Sequence, residues 1–273
     1  MKTRIALVTG ATRGIGLAIA RYFAAENIRL VLPWYDWPDD TKAVQNEFIQ
    51  MGQGHLFFQA DLRKKQDVHN LANFVQKKIG NLDILINNIE RGGMPVIHGA
   101  YDKEVNREQW QLEIDTTLLA KKLLFDHFLP LLNKAEKATV INISSIAGLT
   151  GRSGPAGLIF NEGYAAANRG IETLTETWAR IGAPNIRVNE IMLGLIDCRH
   201  GQKTRGWETL TEEQKNQLVN HTLLARTGTS DEVAATVMFL VRDATYMTGT
   251  VIRMDGGYML GGDKVPPMPE GIL

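Results

Sequence analysis

Cysteine is nearly absent. The 273 residues hold one, Cys198, which excludes an internal disulfide framework and fits a reducing compartment. Net charge is absent as well: 30 Lys and Arg balance 30 Asp and Glu, so nothing pulls the chain toward nucleic acid or an anionic membrane surface. No apolar run approaches the ~20 residues of a membrane span. The opening Met1-Lys-Thr-Arg leads straight into a strand pattern and lacks the long apolar region and small-residue cleavage site of a leader; a cytoplasmic location is expected. The six histidines show no metal-ligand spacing, and no metal site is expected. Nothing adjacent to Cys198 would activate it as a nucleophile. There is no internal repeat and no linker that splits the chain.

What is present begins at once. Ile5 to Val8 reads as a buried parallel strand, and Gly10, Gly14 and Gly16 follow it. Then Leu17, Ile19, Ala20, Phe23 and Ala24 recur at helical spacing. Strand, glycine turn and helix in that order suit a dinucleotide. The glycines let the chain turn and the pyrophosphate approach, and the helix N-terminus presents unpaired N–H groups. The spacing is G-x-x-x-G-x-G rather than G-x-G-x-x-G.

Further along, strands are expected at 28–32, 55–59, 82–86, 138–145, 186–192 and 250–254. Helical patterns between them imply a doubly wound, Rossmann-like parallel α/β sheet of about seven strands. The domain spans 1–260, with an extended tail at 261–273. The second strand leads into Pro33-Trp-Tyr-Asp-Trp-Pro-Asp-Asp40, where an acidic residue would favour NAD and a basic one NADP. Trp34 and Tyr35 stand there. Arg13 either reaches a 2′-phosphate or is a solvated surface arginine, and the preference leans to NADP over NAD. Asp61 either accepts from an adenine amino group or caps the next helix. Asn87 and Asn88 end the fourth strand. Residues 91–107 read as a polar loop, and 195–225 as a lid candidate with a short helix at 211–219. The helix at 109–132 is apolar nearly all round, which suggests a subunit interface.

The segments Thr9-Gly-Ala-Thr-Arg-Gly-Ile-Gly16, Asp61-Leu62, Asn87-Asn88, Asn142-Ile-Ser-Ser145, Arg187-Val-Asn189, Gly228 to Ala234 and Asp255-Gly-Gly257 carry a resemblance. From residue 3 to about 260 the chain resembles the short-chain dehydrogenase/reductase family, and within it the 3-oxoacyl-carrier-protein reductases. The resemblance implies hydride transfer between a nicotinamide and a carbonyl or alcohol carbon, on a small carbonyl or acyl substrate. It implies a homotetramer or homodimer built on the helices at 109–132 and 160–180. It implies cofactor contacts from Gly10, Thr12, Arg13, Gly14, Ile15, Gly16, Trp34, Asp61, Leu62, Asn88, Gly194 and Ile196. By position Ser145 would hold the substrate oxygen and Tyr164 would move its proton.

Several positions depart from that pattern. The family lysine four residues after the tyrosine is Asn168, and the helix asparagine corresponds to Asp115. Ser145 and Tyr164 lie nineteen residues apart, a longer interval than the family shows. Asn-Asn-Ala-Gly reads Asn87-Asn-Ile-Glu90, Pro-Gly reads Leu193-Gly194, and a following threonine is Cys198. Losing a cation and gaining a carboxylate both favour the neutral phenol, a poor base for alcohol oxidation but still an acid for carbonyl reduction. Ser145, Tyr164, Asn168 and Asp115 are therefore the expected catalytic set. Three also have a plain structural reading: Ser145 bonding strand-end backbone, Tyr164 packing beside the sheet, Asp115 bonding within the helix interface. Arg169 replaces the lysine poorly, lying about 140° round the helix from Tyr164. The alternative to an oxidoreductase is a dinucleotide-binding or assembly protein without turnover. A cationic substrate drawn by Asp115 and Glu90 is a third possibility.

Overall fold

The computed structural model describes residues 3–90, 108–198, 210–263, 265–269 and 271. Its strands are β1 (Ile5–Val8), β2 (Arg29–Trp34), β3 (Leu56–Gln59), β4 (Ile84–Asn87), β5 (Ala138–Ser145), β6 (Ile186–Leu193) and β7 (Val251–Met254). All are parallel, in the order β3-β2-β1-β4-β5-β6-β7. The helices are α1 (Gly14–Ala25), α2 (Pro38–Gln50), α3 (Lys65–Lys78), α4 (Gln109–Glu113), α5 (Ala120–Leu132), α6 (Ala147–Thr150), α7 (Glu162–Gly182), α8 (Glu212–Asn220) and α9 (Ser230–Arg242). This is the doubly wound, Rossmann-like architecture expected from the sequence.

Strand alternation builds both faces. Ala6 and Val8 pack with Ile19, Phe23, Val233 and Val237 from α1 and α9. Ile5 and Leu7 point the other way, onto Leu71, Val75, Leu124 and Phe128 from α3 and α5. Phe125 stacks on Trp178 with centroids 4.4 Å apart, joining α5 to α7. Each large apolar side chain buried this way contributes about 1.5–3 kcal/mol. A third cluster at the carboxyl end of the sheet holds Ile146, Phe160, Tyr164 and Tyr258.

The structure corrects several local expectations. Pro33 lies within β2, tolerated because β1 pairs only with Arg29–Val31 and asks no N–H of residue 33. The helix cap after Asp61 is Lys64, and Thr229 caps α9 through a capping box with Glu232. The rod at 109–132 is not one regular helix: a π-helical turn, Ile114–Leu119, separates α4 from α5. The short helix at 211–219 is α8, held by a Thr211–Gln214 capping box. The described residues of the 261–273 tail contain no helix or strand. Residues 91–107 and, within the lid candidate, 199–209 lie outside the described residues.

Candidate active site

β1 has β2 on one side and β4 on the other, so the crossovers diverge and leave a crevice at their carboxyl ends. The glycine turn lines it. Gly10 and Gly14 adopt φ of +64° and +55°, and a Cβ on Gly16 would lie 2.2 Å from the Gly10 carbonyl oxygen. Arg13 gives α1 no side-chain cap, so the first-turn N–H groups face the crevice as anion donors. This cradle fits a dinucleotide pyrophosphate. Ile15 packs back onto the core.

Beside the turn, Ala11, Thr12, Leu32, Trp34, Val44 and Phe57 line a cleft. The Arg13 guanidinium lies 3.6 Å over the Trp37 ring at this end. Trp37 was not singled out by sequence reasoning; only its place just after β2 hints at the role. Asp61 is buried and takes both arms of Arg63 at 2.8 Å, with Lys64 at 3.7 Å. The Arg63 bond holds its carboxyl below the usual range. An adenine amino group would therefore have to share that carboxylate with Arg63. Leu62 is a core side chain. Asn88 ties β4 to the turn: its backbone N–H donates to Thr9 Oγ1 at 2.9 Å and its Nδ2 to the Thr9 carbonyl at 3.1 Å.

The segment after β6 closes over the turn. The Gly194 N–H donates to Met254 O at 2.9 Å, Ile196 bridges to Gly228, and the Cys198 Cβ lies 3.5 Å from where a Gly14 Cβ would sit.

The expected catalytic residues divide. Ser145 ends β5, and its Oγ accepts the Ala147 N–H at 3.1 Å. The long interval to Tyr164 is taken up by α6 and a 3-10 turn, Pro155–Leu158, pinned where the Ala156 N–H donates to the Tyr258 hydroxyl at 2.7 Å. α7 begins two residues before Tyr164, and Asn161 Oδ1 accepts the Tyr164 N–H at 2.8 Å. The Tyr164 hydroxyl donates to Glu90 Oε2 at 3.0 Å, so the residue standing in place of a family glycine meets the tyrosine. Asn168 is fully buried. Its Nδ2 donates to the Tyr164 carbonyl at 2.9 Å, and its Oδ1 has no hydrogen-bond partner among the described residues. Arg169 faces outward and pairs with Glu172, as its position round the helix predicts. Asp115 is bonded within its own helix, accepting from Gln111 Nε2 at 2.7 Å.

Lys121 was missed. It is wholly buried, and its Nζ donates to Ile89 O at 2.5 Å and Thr117 O at 3.0 Å. The signal was there: Thr117, Lys121, Leu124 and Phe128 fall on one helical stripe, and a lysine on a core stripe needs acceptors. Beneath it runs a buried polar chain. Asn87 Nδ2 donates to Asn142 Oδ1 at 2.8 Å and Asn142 Nδ2 to Thr175 Oγ1 at 2.8 Å. Thr175 Oγ1 donates to Glu190 Oε2 at 3.2 Å, and the Ser144 hydroxyl donates to Glu190 Oε1. Burial pushes the Glu190 carboxyl up to about 7.

Comparison with known proteins agrees with this geometry. Residues 10–259 match the family model described as enoyl-(acyl carrier protein) reductase. The chain is 31% identical to 3-oxoacyl-[acyl-carrier-protein] reductase of Synechocystis, over 95% of this chain and 98% of that one. It is also 31% identical to D-beta-hydroxybutyrate dehydrogenase of Rhizobium meliloti, over 94% and 98% respectively. A crystal structure from Burkholderia xenovorans, assigned to the short-chain dehydrogenases/reductases, superposes with a TM-score of 0.78 at 26% identity, covering 96% of this chain and all 100% of that one. With its parallel sheet, glycine cradle and nearly full-length relatives, the chain belongs to the short-chain dehydrogenase/reductase family.

Proposed function

We propose that this protein is an NAD(P)-dependent carbonyl reductase acting on a 3-oxoacyl-type or small ketone substrate. Tyr164 is the acid that protonates the substrate oxygen, and Ser145 is the hydroxyl that holds it. One observation carries the reading: the Tyr164 hydroxyl reaches Glu90, three residues beyond the end of β4 and beside the glycine cradle. A phenolic proton and a dinucleotide cradle thus share one crevice. When bound, the dinucleotide supplies the hydride. The 3-oxoacyl reductase and hydroxybutyrate dehydrogenase relatives support the substrate class.

The cofactor is NADP in preference to NAD, with Arg13, lying over Trp37, as the cation for the 2′-phosphate. Arg63, engaged on both arms by Asp61, is the less suited cation. Gly10, Gly14, Gly16 and the α1 N-terminus hold the pyrophosphate; Thr12 and Trp34 line the adenosine side. The protein works in the cytoplasm as a homotetramer or homodimer through α4–α5 and α7, where Trp110 and Ile181 are exposed. No helix among the described residues is long and apolar enough to cross a membrane.

Titration with NADPH and NADH, read as energy transfer from tryptophan to the nicotinamide, tests the proposal. Saturable binding with NADPH the tighter ligand is expected. Binding of neither would overturn it.

A further inference from the structure

Resting on the reading of Tyr164 as proton carrier, we propose that Glu90 is its acid–base partner and that Lys121 is the residue that positions Glu90. A carboxylate then takes the place that the family gives to a lysine. The contact is direct: the Tyr164 hydroxyl donates to Glu90 Oε2 at 3.0 Å, and Tyr164 is buried against Phe160. One residue before Glu90, the Ile89 carbonyl accepts from Lys121 Nζ at 2.5 Å. The same ammonium holds the Thr117 carbonyl in the π-helical turn at 3.0 Å. A wholly buried ammonium persists only with close acceptors, and these two tie the end of β4 to α5. Among the described residues, titratable and charged groups on the packed elements include Lys121 from α5, Glu113 from α4 against the Asn161 cap of Tyr164, and Glu190 of β6, on which Lys121 also acts.

The proton steps balance. In alcohol oxidation, the substrate O–H proton passes to Tyr164 Oη as the proton already on Tyr164 passes to the Glu90 carboxylate. The alcohol carbon loses its hydride to an oxidised nicotinamide dinucleotide, and Glu90 returns its proton to water. In reduction, protonated Glu90 resupplies Tyr164 as Tyr164 protonates the carbonyl oxygen. Tyr164 is neutral before and after each transfer, so no cation is required to hold a phenolate. That accounts for a tyrosine kept alongside Asn168, whose Nδ2 is spent on the Tyr164 carbonyl.

Glu90→Gln preserves shape and a hydrogen bond but removes the proton exchange. With an acetoacetyl thioester and NADPH, its kcat is expected to fall about 100-fold, the low end for a positioned acid or base. The NADPH dissociation constant should not change, and Glu90→Asp should recover part of the loss. Lys121→Met should lower kcat with the dinucleotide affinity unchanged, and Lys121→Arg should restore part. A Glu90→Gln enzyme with wild-type kcat overturns the proposal. If wild type itself shows no turnover, the reductase reading fails, and ultraviolet titration of the cofactor-free protein still decides this one. The tyrosinate signal assigned by Tyr164→Phe should develop at lower pH in Glu90→Gln, because a neighbouring anion is gone; an unmoved signal overturns the proposal.

Discussion

Replacing Glu190 by Gln should change how stability depends on pH. Glu190 is fully buried in β6, where it accepts from Ser144 and Thr175, and burial raises its carboxyl from 4.5 to about 7. The folded protein holds this proton more tightly than the unfolded chain. Its stabilising contribution is therefore complete below pH 4.5 and is lost as pH rises through about 7. At about 1.4 kcal/mol per pH unit, the span from 4.5 to about 7 is worth about 3 kcal/mol. Glutamine carries no proton to lose, but it gives up one acceptor, a cost of about 1 kcal/mol. Near pH 5 wild type has already lost about 1 kcal/mol of this contribution, so Glu190→Gln should be about as stable as wild type there and about 2 kcal/mol more stable near pH 8. Urea unfolding at both pH values measures this. A stability difference between the two proteins that is the same at both would refute the reasoning.

Gly16→Ala would drive a Cβ to 2.2 Å from Gly10 O and 2.8 Å from Asn88 Nδ2. It should cost about 1–3 kcal/mol in denaturant melts and weaken dinucleotide binding by at least about tenfold. Arg13→Ala removes the cation over Trp37, so NADPH affinity should fall while NADH affinity holds; an equal loss of both would contradict the 2′-phosphate role. Arg187→Met frees the Leu240 and Ala244 carbonyls, each now 2.8 Å from the guanidinium, and Thr139 Oγ1 at 3.0 Å. Leaving those acceptors buried should cost about 3 kcal/mol, measured as a lower urea midpoint.

Much of the fold was legible because its signals are local. Ile5–Val8 and Ile84–Ile86 are short apolar runs bounded by polar residues, and that is what a doubly covered parallel strand requires. The glycine cradle was legible for the same reason, since Gly10 and Gly16 answer steric demands a few residues away. The site was less so. Glu90 and Tyr164 lie 74 residues apart in sequence, and no local pattern announces a bond between them. Lys121 was hidden by its apolar neighbours, although its place on the Thr117–Phe128 stripe marked it as buried. The π-helical turn that carries the Thr117 carbonyl lies against α7, with Leu118 3.1 Å from the Cβ position of Gly170, a tertiary contact that no local propensity reports. Asp115 shows the converse: a motif position drew attention to a side chain that Gln111 engages on the helix flank.

The most direct test of the central claim is turnover of an acetoacetyl thioester with NADPH by wild type and Tyr164→Phe, alongside NADPH affinity for both. Reduction by wild type is expected, with a kcat lower by at least about 100-fold in the variant and equal affinity. NADPH binding without turnover by wild type, or turnover that Tyr164→Phe leaves intact, would contradict it.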